Sequence, residues 1–300
     1  MTLALGIEIG GTKLQAGVGG EDGRLSGVAR RRVDPSRGGA GIREVLPSMV
    51  EEALGAAKCR AEELRGIGVG FGGPVDSGRG RVLVSHQIEG WSDFPLRDWV
   101  SERWRLPVML QNDAKTAALA EATLGAGRGF RRIFYMNIGS GIGGGLVVDG
   151  KVDTGQGLGA GEIGHTWVPD PSTGRAEKLE HVASGWSIAK RAKARMGGDP
   201  TADGVYAAAE AGDAAARALL EESCEALGIA IANVVTLLHP ERVILGGGVS
   251  LMGPLFWNLL QARATARGFK PFEGRYELVR AALGEEVVVI GAVLLGLGAQ

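Results

Sequence analysis

The sequence has few of the features that mark secreted, membrane or disulfide-rich proteins. Its 300 residues include only two cysteines, Cys59 and Cys224, which lie far apart without CxxC spacing. This argues against a disulfide framework or a cysteine-based metal site and favours a reducing cytoplasm. No apolar run reaches the length of about 18 residues that spans a bilayer, so we expect no membrane span. The N-terminal segment lacks a basic region followed by a long apolar core, so we expect no signal peptide.

An excess of charge of one sign is also missing. The chain has 33 Lys and Arg against 34 Asp and Glu, for a formal net charge of −1. This balance leaves no electrostatic footprint for nucleic acid or an anionic membrane, and we expect neither as a partner. Hydrophobic residues make up 45% of the chain, which is ample for a buried core. A chain of this length is larger than the size at which one hydrophobic core usually suffices, so we expect two lobes.

Glycine, by contrast, is abundant, with 51 residues that fall mainly in turns between apolar strands. Two segments, 5–18 and 134–148, share one pattern: a strand, a Gly-rich turn with a hydroxyl residue, and a second strand-like run. Such a hairpin exposes backbone N–H groups and side-chain donors that suit phosphate. The pair predicts a nucleotide whose phosphates are held from both sides.

Strand–turn–helix units dominate the rest of the chain, so the predicted fold class is α/β. The similar starts at Leu5 and Phe134 indicate a duplicated two-lobe architecture with a cleft between the lobes. We place the small lobe at residues 1–118, with a C-terminal helix at about 286–300 packing back on it, and the large lobe at 119–285. Hydrophobic periodicity and turn residues predict the following elements: strands at 3–9, 14–19 and 25–33; strands that run into Gly-containing turns within 65–76 and 241–250; a strand ending at Gln111 and then a helix within 106–127; a hairpin at 131–152; helices at 41–58, about 184–196, about 204–212 and about 213–239; and a strand end followed by an apolar helix at 285–298.

The first Gly-rich turn contains four candidate nucleotide-binding residues. Gly10 and Gly11 allow close backbone approach, Thr12 offers a hydroxyl, and Lys13 can meet a phosphate oxygen. Glu8 is an acid in an otherwise apolar strand, which suggests a contact such as a hydrated Mg²⁺. The alternative is an ordinary hairpin with Glu8 on an exposed edge.

The second turn places Ser140 and Gly141 among five glycines in seven positions. Glycines weaken a strand, and close contact with a ligand would explain that cost, although a flexible hairpin is the alternative. A further strand ends in Gly246, Gly247 and Gly248, a turn that lets a flat adenine–ribose lie against the backbone. Such a triple glycine can equally be only a turn.

Polar candidates for the acceptor site follow other strands. Asn112 and Asp113 come directly after a strand and open a helix, where Asp113 could act as a general base or orient a substrate hydroxyl. Simple N-capping is the competing interpretation. Glu162 and His165 lie three apart in a Gly-rich loop, where both could bind sugar hydroxyls, although His165 could instead be a metal ligand or a surface residue. Glu180 is another possible hydroxyl acceptor, or part of an ordinary helix face.

Seven motifs, in order, resemble the ROK family of sugar kinases, within the actin-like ATPase superfamily. They are IEIGGTK, GFGGPVD, QNDA, NIGSGIGGG, GEIGH, LEHVASG and VILGGGVS, and the resemblance covers residues 3–298. It implies a two-lobe actin-like ATPase, or ribonuclease H-like, fold. It also implies that ATP and Mg²⁺ are cofactors, that a sugar is the acceptor, and that the protein is a homodimer.

The resemblance implies a role for each matching residue. Asp113 would be the catalytic base, and the backbone at Gly72 and Gly73 would lie beside the sugar. The sugar ring would be bound by Asn112, Glu162, His165 and Glu180. ATP would be held by Gly10, Gly11, Thr12, Lys13, Ser140, Gly141, Gly246, Gly247 and Gly248, with Mg²⁺ held through water near Glu8.

Two departures from the family pattern matter. Family members usually have Asp where this chain has Glu8, which keeps the charge but is one methylene longer. Most members also carry a zinc site formed by a His and a CxCxxxxC cluster. Here His165 is present, but the segment 165–180 contains no cysteine and is shorter than the corresponding segment of the family. We therefore predict no structural zinc, and the loop with Glu180 must be ordered by other means.

The resemblance implies ATP-dependent phosphorylation of a hexose, most readily glucose at its 6-hydroxyl. A kinase for N-acetylmannosamine, N-acetylglucosamine or fructose is an alternative within the same class. A non-catalytic sugar sensor is an alternative of another class, because the family includes repressors with this sugar-binding body. Those carry an N-terminal helix-turn-helix, whereas this sequence starts directly at the first phosphate strand, so we expect no DNA binding.

Overall fold

The computed structural model describes residues 2–85 and 88–299 and confirms a mixed α/β chain. Its strands are β1 (Ala4–Ile9), β2 (Lys13–Gly19), β3 (Leu25–Arg32), β4 (Ile67–Phe71), β5 (Val75–Asp76), β6 (Arg81–Val82), β7 (Val108–Asn112), β8 (Arg132–Ile138), β9 (Ile142–Val148), β10 (Lys151–Val152), β11 (Trp167–Pro169), β12 (Ala176–Lys178), β13 (Arg242–Gly246) and β14 (Glu277–Arg280). Its α-helices are α1 (Gly38–Ala57), α2 (Leu96–Trp104), α3 (Asp113–Thr123), α4 (Leu179–Ala183), α5 (Gly185–Met196), α6 (Ala202–Glu210), α7 (Ala214–Leu238), α8 (Pro254–Arg267) and α9 (Val287–Leu297). None of these helices is both long and apolar enough to cross a membrane.

The chain forms two compact units. The first contains Met1–Arg128, Gly150–Ala160 and Leu283–Gln300, and the second contains Gly129–Asp149 and Gly161–Ala282. These units differ from the predicted lobes at residues 119–128, 150–160 and 283–285. The boundary after residue 118 stays a prediction about folding domains. Gln300, part of the predicted C-terminal helix, lies outside the described residues.

The first unit has a five-stranded sheet in the order β3–β2–β1–β4–β7. The meander β1–β2–β3 is antiparallel, whereas β4 and β7 extend the sheet in parallel with β1. Helix α9 packs on β1 and β4 where two glycines leave room for its backbone. A Cβ atom at Gly6 would lie 2.4 Å from the Val289 carbonyl oxygen, and one at Gly68 would lie 1.9 Å from the Ala292 carbonyl oxygen.

The second unit repeats the start of this arrangement. Strands β8 and β9 form an antiparallel hairpin, and β13 and then β14 add in parallel beside β8. The predicted DG turn after β9 is confirmed, since Asp149 and Gly150 have φ values of 51° and 75°. Helix α7 begins at the cap Asp213, whose side chain accepts from the Ala216 N–H, and ends at His239 in the left-handed region, just before Pro240.

One sequence-based element is wrong. Residues Gly284–Glu286 form a single 3-10 turn before α9 and not the end of a strand. The Glu285 carbonyl accepts hydrogen bonds from Lys13 Nζ at 2.9 Å and Gln15 Nε2 at 3.0 Å. Both donors come from β2, about 270 residues earlier, so no local pattern could have predicted this turn.

Candidate functional site

The first Gly-rich turn connects β1 to β2 through residues 10–12. Gly10 N–H donates to the Lys13 carbonyl at 3.0 Å, and a Cβ atom at Gly10 would lie 3.0 Å from that same oxygen. A larger residue would therefore push against the backbone of the turn. Thr12 is exposed and Gly11 is half-buried, so their N–H and hydroxyl groups lie near the surface of the first unit.

Glu8 lies in the middle of the sheet and not on an exposed edge, because β1 pairs with β2 on one side and β4 on the other. The residue is only 7% exposed. Its Oε2 accepts from Gln15 Nε2 at 2.7 Å, and its Oε1 lies 3.5 Å from Lys13 Nζ. Burial raises the pKa of the Glu8 carboxyl above its ordinary value; the Lys13 charge and the Gln15 hydrogen bond oppose this, and the Asp113 charge adds to it.

The donor set near Glu8 fits a hydrated magnesium ion better than a metal held by a protein cage. Mg²⁺ usually keeps several waters and binds one or two carboxylates together with substrate phosphates. Glu8 and Asp113 are two carboxylates close enough to influence each other, while Lys13 already partly neutralises Glu8. Across 2–85 and 88–299, no three His, Cys, Asp or Glu side chains are grouped as metal ligands.

Asn112 and Asp113 have different roles at the start of α3, where the sequence left N-capping and catalysis as alternatives. Asn112 is the N-cap of α3: its Oδ1 accepts from the N–H groups of Ala114 at 3.0 Å and Lys115 at 3.2 Å. Its Nδ2 donates to the Gly73 carbonyl at 3.1 Å and to Asp113 Oδ1 at 3.0 Å. The capping interpretation is therefore confirmed for Asn112, whereas Asp113 is the first helical residue.

The Asp113 carboxylate accepts two hydrogen bonds through its Oδ1 atom. Oδ1 accepts from the Ala114 N–H at 2.7 Å as well as from Asn112. Oδ2 lies on the side of Gly72, where a Cβ atom would approach it to 3.4 Å. Gly72 in turn donates its N–H to the Ile9 carbonyl at 2.8 Å, and a Cβ atom there would lie 3.3 Å from Gly10 Cα. The structure thus brings Asp113, the Gly72–Gly73 backbone and the first Gly-rich turn together.

In the second unit, the turn from β8 to β9 holds Ser140 and Gly141. The carbonyls of Gly139 and Ser140 accept from the first N–H groups of α5, those of Gly185 at 2.8 Å and Trp186 at 3.3 Å. A Cβ atom at Gly141 would lie 3.2 Å from Glu180 Oε2. The second turn therefore lies directly beside the Glu180 carboxylate, which is carried by α4.

His165 and Glu162 lie on the short turn before β11. His165 Nε2 is 3.9 Å from Glu180 Oε1, and its Nδ1 is 3.3 Å from Lys178 Nζ. Glu162 is exposed and begins the 3-10 turn Ile163–His165. His165, Glu180 and Gly141 thus form one polar group. The prediction that the chain holds no structural zinc stays a prediction.

The three glycines at the end of β13, Gly246 to Gly248, have different surroundings. A Cβ atom at Gly246 would lie 2.1 Å from the Tyr135 hydroxyl, and one at Gly247, where φ is 82°, would lie 2.5 Å from the Ile138 carbonyl. A Cβ atom at Gly248 would meet nothing within 4 Å. Packing against β8 alone thus requires the first two glycines, and only Gly248 adjoins open space.

Two residues that take part in polar networks, Gln15 and Arg191, were not among the residues selected from the sequence. Gln15 is fully buried. Its Oε1 accepts a hydrogen bond from Arg30 Nε at 2.8 Å, and its Nε2 donates to Glu8 Oε2. A polar residue at an inward position of a strand could have signalled such a network. Arg191 is one of several cations on α5, and no local pattern distinguishes it.

Comparison with known proteins finds similar sequences among sugar kinases and a sugar-related repressor. A sequence profile described as the ROK family matches residues 4–298. A glucokinase from Halalkalibacterium halodurans is 32% identical over 96% of this chain and 92% of its own length. An N-acetylmannosamine kinase from Escherichia coli is 30% identical over 98% of both chains. A xylose repressor from Caldicellulosiruptor bescii is 28% identical over 84% of this chain and 67% of its own length.

Solved structures agree with these relatives. A ROK hexokinase from Thermus thermophilus is 33% identical, with a TM-score of 0.85 over 98% of both chains. A ROK family glucokinase from Streptomyces griseus, in complex with glucose and AMPPNP, is 31% identical, with a TM-score of 0.79 over 98% of this chain and 99% of its own. The chain therefore belongs to the ROK family and has the two-lobe actin-like ATPase fold of its sugar kinases.

Proposed function

We propose that this chain is a sugar kinase that transfers the γ-phosphoryl group of ATP to the 6-hydroxyl of glucose. The observation that carries the proposal is the position of Asp113, which is held at the start of α3 by hydrogen bonds from Asn112 and Ala114 and lies beside the Gly72 backbone. The sugar-kinase relatives support the reaction class, and the glucokinases among them support glucose.

In the proposed reaction, Asp113 Oδ2 accepts the proton of the sugar hydroxyl as its oxygen attacks the γ-phosphorus. The bond from the γ-phosphorus to the bridging oxygen breaks, and ADP leaves with the bonding electron pair. Asn112 holds the Asp113 carboxylate through its Nδ2, so the base needs little reorganisation. Phosphoryl transfer depends mainly on such positioning and on electrostatic stabilisation.

Lys13 and the N–H groups of Gly10–Thr12 would bind phosphate oxygens from one Gly-rich turn, and Ser140 and Gly141 from the other. These donors would stabilise charge on the phosphate oxygens in the transition state. Glu8 would hold Mg²⁺ through water, and the ion would neutralise further phosphate charge. Gly246–Gly248 would contact the nucleoside, and Asn112, Glu162, His165, Glu180 and the Gly73 backbone would bind the sugar.

The test is the isosteric variant Asp113→Asn in a coupled ADP-release assay. We expect sugar-dependent turnover to fall by roughly 10²- to 10⁴-fold, the usual contribution of a general base. Binding of ATP should persist, because an Asn oxygen can still accept from the Ala114 N–H. Asp98→Asn, which changes an exposed acid in the first turn of α2, is the matched control. If Asp113→Asn keeps most of its activity, Asp113 is not the base.

Two alternatives have specific support. The N-acetylmannosamine kinase relative favours an acylamino sugar as acceptor, and a panel of glucose, fructose, N-acetylglucosamine and N-acetylmannosamine separates these substrates. The xylose repressor relative favours a sugar sensor without turnover. In that case sugars would bind without ADP release, and Glu8→Asp would strongly raise turnover by restoring the residue usual in the family.

We also propose that the enzyme is a cytoplasmic homodimer without nucleic acid or membrane partners. The balanced charge supports the absence of a nucleic acid partner. Light scattering of the purified chain measures the oligomeric state directly.

A further inference from the structure

Arg191 of α5 connects three elements of the second unit. Its Nη1 donates to the Val182 carbonyl near the end of α4 at 2.9 Å. Its Nη2 forms an ion pair with Glu222 of α7 and lies 3.6 Å from Asp170 Oδ1 in the β11–β12 hairpin. The side chain is only 15% exposed, so these contacts are made largely out of water.

Asp170 organises the turn of this hairpin. Its Oδ1 accepts from the Ser172 N–H at 2.9 Å and from the Ser172 hydroxyl at 2.7 Å, and its carbonyl accepts from the Gly174 N–H at 2.7 Å. Because Asp170 accepts these hydrogen bonds within the turn, its ion pair with Arg191 links the whole turn to α5.

The same hairpin leads at both ends to the predicted sugar residues. His165 lies just before β11, and β12 runs directly into α4, which carries Glu180. The Leu179 N–H donates to the Thr166 carbonyl at 2.9 Å, which closes the base of the hairpin. Arg191 therefore fixes the turn of the hairpin through Asp170 and the helix after it through Val182.

The charges make this contact hard to replace. Asp170 and Glu222 are about 19% and 20% exposed, and both face the Arg191 guanidinium. Without the guanidinium, Glu222 keeps its contact with Arg195, whereas Asp170 loses its cation and faces the Glu222 carboxylate in a poorly hydrated site. Removing one partner of a buried ion pair is strongly destabilising. The hairpin turn and α4 would then move apart or rearrange.

We propose that Arg191 is a positioning residue for the sugar site, which keeps Glu180 and His165 in place beside Gly141. The proposal rests on the proposed function, in which Glu180 and His165 bind the sugar. The contacts of Arg191 would explain how the loop of residues 165–180 is ordered although it contains no cysteine.

The chain offers a matched control on the same helix. Arg195 lies one turn further along α5 and pairs with the same Glu222, with Nη1 and Nη2 at 3.0 and 2.8 Å from its oxygens. Within the described residues, it makes no hydrogen bond to α4 or to the β11–β12 hairpin. Arg191→Met and Arg195→Met therefore remove similar charges but differ in their contacts with the sugar loop.

The experiment measures steady-state kinetics with glucose and ATP for both variants, together with amide hydrogen exchange over residues 166–183. For Arg191→Met we expect the KM for glucose to rise about tenfold, since small misplacements of binding groups are costly. Its kcat and KM for ATP should stay within about twofold of wild type, which indicates lost ground-state binding. Exchange over 166–183 should accelerate. Arg195→Met should resemble wild type in both measurements.

Asp170→Asn provides a second variant if Arg191→Met does not fold. The Asn oxygen can still accept from Ser172, so the turn persists while the charge facing Arg191 is lost. We expect a smaller rise in the glucose KM, in the same direction. An unchanged glucose KM in a folded variant, or an equal rise in Arg195→Met, overturns the proposal.

The outcomes separate this proposal from the proposed function. If the wild-type chain phosphorylates no sugar, the proposed function fails, whereas the exchange data still decide whether Arg191 holds the loop. Unchanged exchange in Arg191→Met overturns the positioning role irrespective of catalysis. If exchange accelerates in an active enzyme but the glucose KM does not move, Arg191 holds the loop without positioning the sugar residues.

Discussion

The two Gly-rich turns share a sequence pattern but differ in what surrounds them. The first is flanked by a network of side chains, in which Glu8 contacts Lys13 and Gln15 and both of these donate to the Glu285 carbonyl. The second consists of Gly139, Ser140 and Gly141, and its neighbours are the first N–H groups of α5 and the Glu180 carboxylate.

If both turns bind phosphate as proposed, this difference means that they do so in different ways. We infer that the first turn contributes mainly side-chain charge, whereas the second contributes backbone donors and adjoins the sugar residues. The first turn also contacts the far end of the chain, because Glu285 lies in the 3-10 turn just before α9. The second contacts α4 and α5, which begin at Leu179 and Gly185.

The largest expected effect tests the packing of α9 on the sheet that carries the first turn. Gly68→Ala places a Cβ atom 1.9 Å from the Ala292 carbonyl oxygen, where only backbone movement can relieve the clash. We expect the free energy of unfolding to fall by about 3 kcal/mol or more, the upper end of overpacking costs. Urea denaturation measures this change.

Gly55→Ala in α1 is the control, because a Cβ atom there would meet nothing within 4 Å. It should stabilise the chain by up to about 1 kcal/mol through helix propensity. Equal stability of the two variants would show that α9 does not rely on close contact at Gly68.

Lys13→Met tests the side-chain character of the first turn. Removing one preorganised cation from the phosphates should lower kcat/KM for ATP by about 100-fold. The dissociation constant for glucose, measured by titration without nucleotide, should change little. Lys151→Met, at an exposed lysine of β10, is the control. A loss of glucose affinity as large as that of ATP would contradict the assigned role of this turn.

Gly141→Ala tests the link between the second turn and the sugar. The new methyl carbon would lie 3.2 Å from Glu180 Oε2, so the carboxylate must shift by a few tenths of an ångström. We expect the glucose KM to rise about tenfold. Gly139→Ala is the matched control, since its nearest contact would be an ordinary 3.6 Å. Equal effects of the two variants would separate Glu180 from this turn.

The elements that sequence reasoning predicted well are those with local causes. The meander β1–β3 matches to within a residue or two because apolar strands alternate with Gly- and Asp-containing turns. Helix α7 ends before Pro240, as expected, and Asn112 caps α3 through its own side chain. These signals lie within a few residues of the structure that they determine.

The features that were missed depend on distant partners. Strand β14 exists through its parallel pairing with β13, and Arg191 gains its role from Asp170 and Glu222. The triple glycine suggested ligand contact, yet Gly246 and Gly247 are required by Tyr135 and Ile138 of β8. Glycine in sequence marks a close approach but does not say whether the neighbour is protein or ligand.

The most direct test of the account is the identity of the product formed by the wild-type chain. Purified protein is incubated with MgATP and ¹³C-labelled glucose, and the product is assigned by NMR. The account predicts stoichiometric ADP and glucose phosphorylated at the 6-hydroxyl, with no product from Asp113→Asn on the same timescale. Glucose binding without ADP release, or a product that forms equally well with Asp113→Asn, would contradict it.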